Sequence, residues 1–299
     1  MQTYSELRAF FDQHDDILSM SMNLLADKHG TAVEPYAHDI LTFLSHRGVD
    51  SPAVKYLEAN QALMQMAEDF RQTGRYPASC YAEVRPIDRE LYNLRLPLSF
   101  IVTNHRFEIL QHLVGFLQHE RSGPKELLSV GVGTGYEVKV AHDVLNHSQE
   151  WQINAFDNSS DFIAFTRDLL AFFGYPTTSV HEATFPLEHA EGLEPYENRF
   201  SKIILCEVLE HLEQPAEAIR NLSRALHPNG QMFLTMAINM PQEDHIFLYS
   251  TIAQARQQVT DLGLHVVWEF VTPATIMPFD DDQRGEILRA GNYLCIVEK

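Results

Sequence analysis

An apolar run, Leu127-Leu128-Ser129-Val130, opens directly onto Gly131-Val132-Gly133-Thr134-Gly135 and then Tyr136-Glu137. Three alternate glycines between a strand-like run and a helix-like run let the backbone turn sharply and approach a ligand, with amide groups and a helix N-terminus aimed at it. The spacing is G-x-G-x-G. A dinucleotide fingerprint would place glycine where Tyr136 stands. The next apolar run, Ile153-Asn154-Ala155-Phe156, ends in Asp157, an acid suited to accept both hydrogen bonds of a ribose diol. Val180-His181 is followed by Glu182-Ala183, an acceptor and a backbone amide for an adenine edge. Ile203-Ile204-Leu205 ends at Cys206-Glu207. Taken singly, each has an ordinary explanation: a tight turn, a cap for the helix beginning near Ser160, a loop charge. In this order, at the ends of successive strands, they describe a nucleoside site.

The elements that must carry these residues follow from apolar periodicity. Beyond the breaker cluster Ser122-Gly123-Pro124, strand-length runs cover Glu126–Val130, Trp151–Phe156, Ser179–Glu182, Lys202–Cys206, Gln231–Ala237, His265–Val271 and Tyr293–Val297. Helix-length segments, Glu137–His147, Asp161–Phe173 and Pro215–Leu226, lie between the earlier ones. Alternating strands and helices predict an α/β fold, a doubly wound, mostly parallel seven-stranded sheet. The chain before residue 122 reads differently. Leu7, Phe10, Phe11 and Leu18 form one helical stripe; Tyr56, Leu63, Met66 and Phe70, preceded by Ser51-Pro52, form a second; Phe107, Leu110, Val114 and Leu117 form a third. The stretch from Arg75 to Pro97 shows no regular pattern. An N-terminal all-helical cap domain over 1–122 and an α/β domain over 123–299 are therefore expected. The roughly twenty residues that link the last two strands, with Pro273, Pro278 and Asp280-Asp281-Asp282, read as a solvated excursion.

Composition narrows the partners. Lys and Arg number 22 against 41 Asp and Glu, for a formal charge of −19. Such a surface repels phosphate backbones and anionic membranes, so neither nucleic acid nor a membrane is an expected partner. Three widely separated cysteines, Cys80, Cys206 and Cys295, suggest neither a disulfide framework nor a metal knuckle. With no apolar signal core at the N-terminus and no run long enough to span a bilayer, a cytoplasmic protein is expected. Self-association as a homodimer is compatible with all of this.

Residues 124–240 resemble the class I S-adenosylmethionine-dependent methyltransferases. SVGVGTGYE is similar to that family's first motif and NAFDNSSDFI to its acidic second motif. FSKIILCEVLEHLEQPAEAIRNLSRALHPNGQMFLTM, with its E-V-L-E-H-L run and H-P-N-G turn, is similar to its fourth-to-fifth-strand stretch. The resemblance implies S-adenosylmethionine as cofactor. It implies that Gly131, Gly133 and Gly135 pass beneath the methionyl part, with Glu137 near its amino end. Asp157 would hold the ribose hydroxyls, Asn158 would flank the adenine, Glu182 and Ala183 would meet its edge, and Cys206 and Glu207 would line the pocket beside the sulfonium. The family's third-motif Asp is Glu182 here.

The resemblance also directs attention to the loop after the fifth strand, Ala237 to His245, which would lie over the transferred methyl. His245 is then the first general-base candidate, with His211 its companion. The alternative for His245 is a surface histidine in an acidic loop. Glu207, Glu210 and His211 would share a face if helical, and some quinone-type and small-RNA methyltransferases use such a set with a later histidine to hold a divalent ion. The sequence assignment itself includes no metal ligand. Tyr76, Tyr81, Arg85, Arg89, Tyr92 and Arg95 form an aromatic and cationic strip suited to an acidic or aromatic substrate. Met232, Met236 and Met240 read as core and pocket wall. The expectation is methyl transfer to oxygen or nitrogen, or carbon, of a small biosynthetic molecule. The rival readings are an RNA or protein methyltransferase and a non-methylating relative acting as a binding or assembly module.

Overall fold

The structure is a computed structural model that describes residues 2–60, 89–145, 150–177, 179–183, 185–240, 242, 245–274 and 290–299, the side chain of Arg89 excepted. The chain divides into two compact units. One comprises Met1–Leu110, Met240–Asp244 and Thr272–Ala290; the other comprises Gln111–Asn239, His245–Val271 and Gly291–Lys299.

The first unit is helical: α1 (Tyr4–His14), α2 (Asp16–His29), α3 (Glu34–His46), helical residues 52–60 (α4), α5 (Arg89–Val102) and the first half of α6 (Asn104–Gln118). The first predicted stripe is split. Asp15 ends α1 and caps α2, its carboxylate accepting the Leu18 amide at 2.9 Å. A single side chain that satisfies an orphan amide converts one amphipathic run into two helices. Leu7, Phe11, Leu18, Met22, Phe43 and Tyr56 are buried. Leu63, Met66 and Phe70 of the second stripe lie outside the described residues. So do Tyr76, Tyr81 and Arg85. The pattern-free stretch resolves in part as α5, which carries Pro97 inside the helix. There Arg95 stands 5.1 Å over the Tyr92 ring and donates to Gln242 at 2.9 Å.

The second unit holds the sheet. Its strands are β1 (Glu126–Val130), β2 (Gln152–Asp157), β3 (Val180–Glu182), β4 (Phe200–Leu205), β5 (Leu226–Ile238), β6 (His265–Pro273) and β7 (Gly291–Glu298), in the order β3-β2-β1-β4-β5-β7-β6. The last two residues of β6 are assigned to the first unit. β1 pairs in parallel with β2 and β4, β2 with β3, and β4 with β5; β7 runs antiparallel to β5. The helices are α7 (Tyr136–Leu145), α8 (Ser160–Phe172), α9 (Pro215–Ala225) and α10 (Ile252–Thr260). Every residue of β4 is buried, as expected of a strand covered on both faces. Phe200, Ile203 and Leu205 join Leu128, Phe156, Leu222, Met232, Leu234 and Tyr293 in one core. Met232 and Met236 are buried in that core, and Met240 is buried.

One expectation is modified. The His227-Pro228-Asn229-Gly230 turn lies within β5. Phe200 pairs with Leu226 and Lys202 with Gln231, so the extra β5 residues bulge while the strand continues. The chain leaves β1 toward β2 and β3, then returns to β4 on the other side of β1. This reversal is the topological switch point, where ligands of open α/β sheets bind beyond the strand carboxyl ends. Among the described residues no helix is long and apolar enough to cross a membrane.

Candidate active site

The turn after β1 is built on glycines in left-handed backbone: φ is +68° at Gly131, +52° at Gly133 and +74° at Gly135. A Cβ at 131 would stand 2.5 Å from Val208 Cγ2, and one at 135 would stand 2.5 Å from Thr166 Cγ2. Conformation and space both exclude a side chain at these two positions. The Gly131 and Val132 amides reach the Phe156 carbonyl at 2.8 and 3.3 Å, and the Thr166 hydroxyl donates to the Gly133 carbonyl at 2.9 Å.

Asp157, at the end of β2, is drawn into this turn. Its Oδ2 accepts the Gly133 amide at 3.0 Å, and its Oδ1 accepts the Ser159 amide at 2.9 Å. The carboxylate is 7% exposed, so the two amides set its orientation at the sheet edge. The expected helix cap in this region is a neighbour, Ser159, whose hydroxyl accepts the Phe162 amide. Asp157 is in register with Glu182, and the Ala183 amide donates to the Asp157 carbonyl at 3.0 Å. That amide, expected to meet the adenine edge, therefore closes the β2–β3 end. Asn158, Glu182 and Ala183 are exposed, and Glu137 is half-buried in the first turn of α7.

Past β4, Cys206 is buried and Glu207 takes φ +53°. The Glu207 amide donates to Thr235 Oγ1 at 2.7 Å; that hydroxyl donates to Glu207 Oε1 at 2.7 Å; and Asn292 Nδ2 donates to the same oxygen at 2.6 Å. Sequence reasoning missed Thr235 and Asn292. The available signal was Thr235 inside the apolar run Met232–Ile238 and Asn292 immediately before the apolar run Tyr293–Val297.

The E-V-L-E-H-L run forms only a single 3-10 turn, Leu209–His211, with Val208 before it outside helical geometry. The helical face expected for Glu207, Glu210 and His211 is therefore replaced by another device. The amides of Ile246 and Phe247 both donate to the Glu210 carbonyl, at 2.8 and 2.9 Å. This returns the chain so that His245 Nε2 lies 4.0 Å from Glu210 Oε1, with both side chains buried. The His211 and His245 rings meet edge to face at 4.8 Å. One ligand atom from each of Glu210, His211 and His245 falls within 4.8 Å of the others. His245 is thus 2% exposed, unlike a surface loop histidine. Burial and the Glu210 charge together push the nearby Tyr249 hydroxyl well above its usual range. A buried carboxylate against two imidazoles can share a proton or hold a divalent cation. Glu207, the fourth member of the expected ligand set, is held by Thr235 and Asn292. Pro241, Glu243 and Asp244 lie outside the described residues.

A family model described as a methyltransferase domain matches residues 102–281. The chain is 26% identical over 167 residues to the ubiquinone biosynthesis O-methyltransferase of Sodalis glossinidius (strain morsitans), a match covering 54% of this chain and 62% of that protein. The chain thus matches less than two thirds of that curated relative's length. Among solved structures, it resembles an O-methyltransferase family protein from Burkholderia thailandensis at 11% identity, with a TM-score of 0.52 over 82% of this chain and 70% of that one. It also resembles the CMeT domain of the citrinin polyketide synthase at 16% identity, with a TM-score of 0.51 over 82% and 68% of the two chains. These two likenesses bear on the fold. The family match spans the turn, the acid at the end of β2 and the tip of β4, and it agrees with the sheet order; on that ground the chain belongs to the class I S-adenosylmethionine-dependent methyltransferases.

Proposed function

We propose that this enzyme methylates an oxygen or nitrogen of a small molecule, with His245 as the base that takes the acceptor's proton. The observation that carries the reading is the pairing of two features on one sheet. Asp157 is fixed by backbone amides at the end of β2, and His245 is buried against Glu210 beyond β4. The oxygen choice is supported by the name of the curated relative, an O-methyltransferase. The charge of −19 supports a small molecule over nucleic acid.

S-adenosylmethionine, when bound, supplies an electrophilic methyl on a sulfonium. The turn fits it: Gly131, Gly133 and Gly135 offer bare backbone that would lie beneath the methionyl part, and Glu137 would stand near its amino end. Asp157 would accept from the ribose hydroxyls. Asn158 would flank the adenine and Glu182, with the side of Ala183, would meet its edge. Cys206 and Glu207 would line the side nearest the sulfonium. His245 would take the proton that the acceptor releases on methylation, its imidazole lying buried beside Glu210. Glu210 stabilises the imidazolium so formed, and His211 packs against its ring. The residues of 1–122 are assigned to substrate selection.

A second reading is favoured by the convergence of Glu210, His211 and His245. A divalent cation held there would bind acceptor oxygens and lower their pKa, and His245 would then be a ligand with no lone pair for a proton. Activity screening with candidate phenols and amines, in the presence and absence of a chelator, separates the two. Chelator-resistant turnover that His245→Ala abolishes supports the base. Turnover lost to chelator and restored by Mn²⁺ or Zn²⁺ supports the cation. Near-normal turnover of His245→Ala across pH removes His245 from both. Calorimetric titration with S-adenosylmethionine tests the enzyme reading itself, and absence of micromolar binding would favour a binding or assembly module.

A further inference from the structure

Glu207 occupies a conformation that residues with a Cβ rarely adopt, at the strand end that the proposed function assigns to the sulfonium. Such strain persists only where the surroundings over-determine it. Here they do so through two strands. Thr235 of β5 pairs with Leu294, and Ala237 pairs with Asn292 of β7, so Thr235 and Asn292 are diagonal neighbours on one face of the sheet. Both reach the same carboxylate oxygen of Glu207. The Thr235 hydroxyl works in both directions, accepting from the strained residue's own amide and donating to its side chain.

We infer that Thr235 and Asn292 are positioning residues for the cofactor, holding the left-handed backbone and the carboxylate of Glu207 in the geometry that S-adenosylmethionine binding requires. The inference rests on the assignment of Glu207 to the cofactor pocket. Asn292 carries the argument furthest. Its side chain is fully buried at the start of a strand that continues Tyr293-Leu294-Cys295-Ile296-Val297. Its Oδ1 has no hydrogen-bond partner among the described residues. Turning the amide over would set that oxygen against the Glu207 carboxylate, so the amide orientation is imposed by Glu207. Stability alone would favour an apolar residue at such a position, because an orphaned buried acceptor is costly. What the asparagine supplies is a fixed donor for one acid. Thr235 is equally buried and equally committed to Glu207. Through these two residues, β5 and β7 control a tip that neither forms.

The test is isothermal titration of the full chain with S-adenosylmethionine, with melting curves recorded alongside. Thr235→Val keeps shape and removes the hydroxyl, and it should raise Kd about tenfold. Thr235→Ser should restore wild-type affinity within about twofold, which a role in packing alone would not produce. Asn292→Leu should also raise Kd about tenfold, yet add less than about twofold when Glu207 is already alanine, because it acts through that side chain. If Asn292→Leu does not fold, the threonine pair decides the matter. Wild-type affinity in Thr235→Val, or additive losses in Asn292→Leu with Glu207→Ala, would overturn the inference. If Asp157→Ala has lost binding in the same experiment, the cofactor reading survives that outcome. Failure of the wild-type chain to bind would overturn both.

Discussion

Replacing Asp157 by asparagine separates two tasks assigned to one carboxylate. The change keeps the shape and alters one atom's character. Oδ1 and Oδ2 each accept a backbone amide, from Ser159 and Gly133, at 2.9 and 3.0 Å. Asparagine can accept only one of these, and its NH2 must face the other amide, donor against donor. With the side chain 7% exposed, little water relieves the conflict. The loss of one charge-assisted bond in a buried setting is about 1–3 kcal/mol. For a chain of this size that corresponds to a fall in melting temperature of roughly 2–5 °C without cofactor. Binding should suffer separately. Two ribose hydroxyls that donate to a carboxylate would meet a neutral amide with one acceptor, a loss of about 1.5–3 kcal/mol and so roughly 10- to 100-fold in Kd. Scanning fluorimetry on the free protein reads the first effect, and calorimetric titration with S-adenosylmethionine reads the second. A melting temperature within about one degree of wild type, together with a Kd within about threefold, would refute both the amide tie and the ribose assignment.

Other positions give independent checks. Gly135→Ala forces a Cβ to 2.5 Å from Thr166 at φ +74°; it should lose about 1–2 kcal/mol from the backbone alone, more from the overlap, and Thr166→Ala should recover at most part of the overlap, because Thr166 Cβ itself stands 2.8 Å away and its hydroxyl bond to Gly133 is lost, as read from denaturant midpoints. His105 is buried and its pKa is lowered to about 3, chiefly by burial and secondarily by Arg106. The unfolded chain therefore binds a proton between pH 6.5 and about 3 that the native chain refuses, so stability falls as pH drops through that window, and His105→Phe should flatten the fall in urea unfolding between pH 6.5 and 4.5. Lys202 is buried in β4 and donates to the carbonyls of Phe116 and His119 at 2.7 and 2.8 Å. Burial, then Arg121 and Lys125, lower its pKa from 10.5 to about 8, so the unfolded chain holds more protons between those values and stability should rise with pH there; Lys202→Met should abolish that slope.

Much of the α/β half was legible because its information is local. Strand ends and helix ends fall within a residue or two of the apolar runs in most cases, since a strand buried on both faces is largely apolar, as Ile203–Leu205 is after the buried Ser201 and Lys202. The glycine turn was legible because left-handed backbone at 131, 133 and 135 admits few other residues. The helical half was less so. Asp15 interrupts a stripe that periodicity alone joins, and α5 contains a proline that argues against a helix.

The sequence by itself determined the succession of strands and helices along the chain, the turn and the acid that ends β2, because turn chemistry and short apolar runs operate within about ten residues. Only the tertiary structure decided which groups meet beyond β4. Thr235 and Asn292 lie 28 and 85 residues from Glu207 along the chain, and His245 reaches Glu210 because two later amides, those of Ile246 and Phe247, share one carbonyl. No periodicity encodes such meetings. They are fixed by strand register and by the obligation of buried backbone groups to find partners, and both are settled only when distant segments pack.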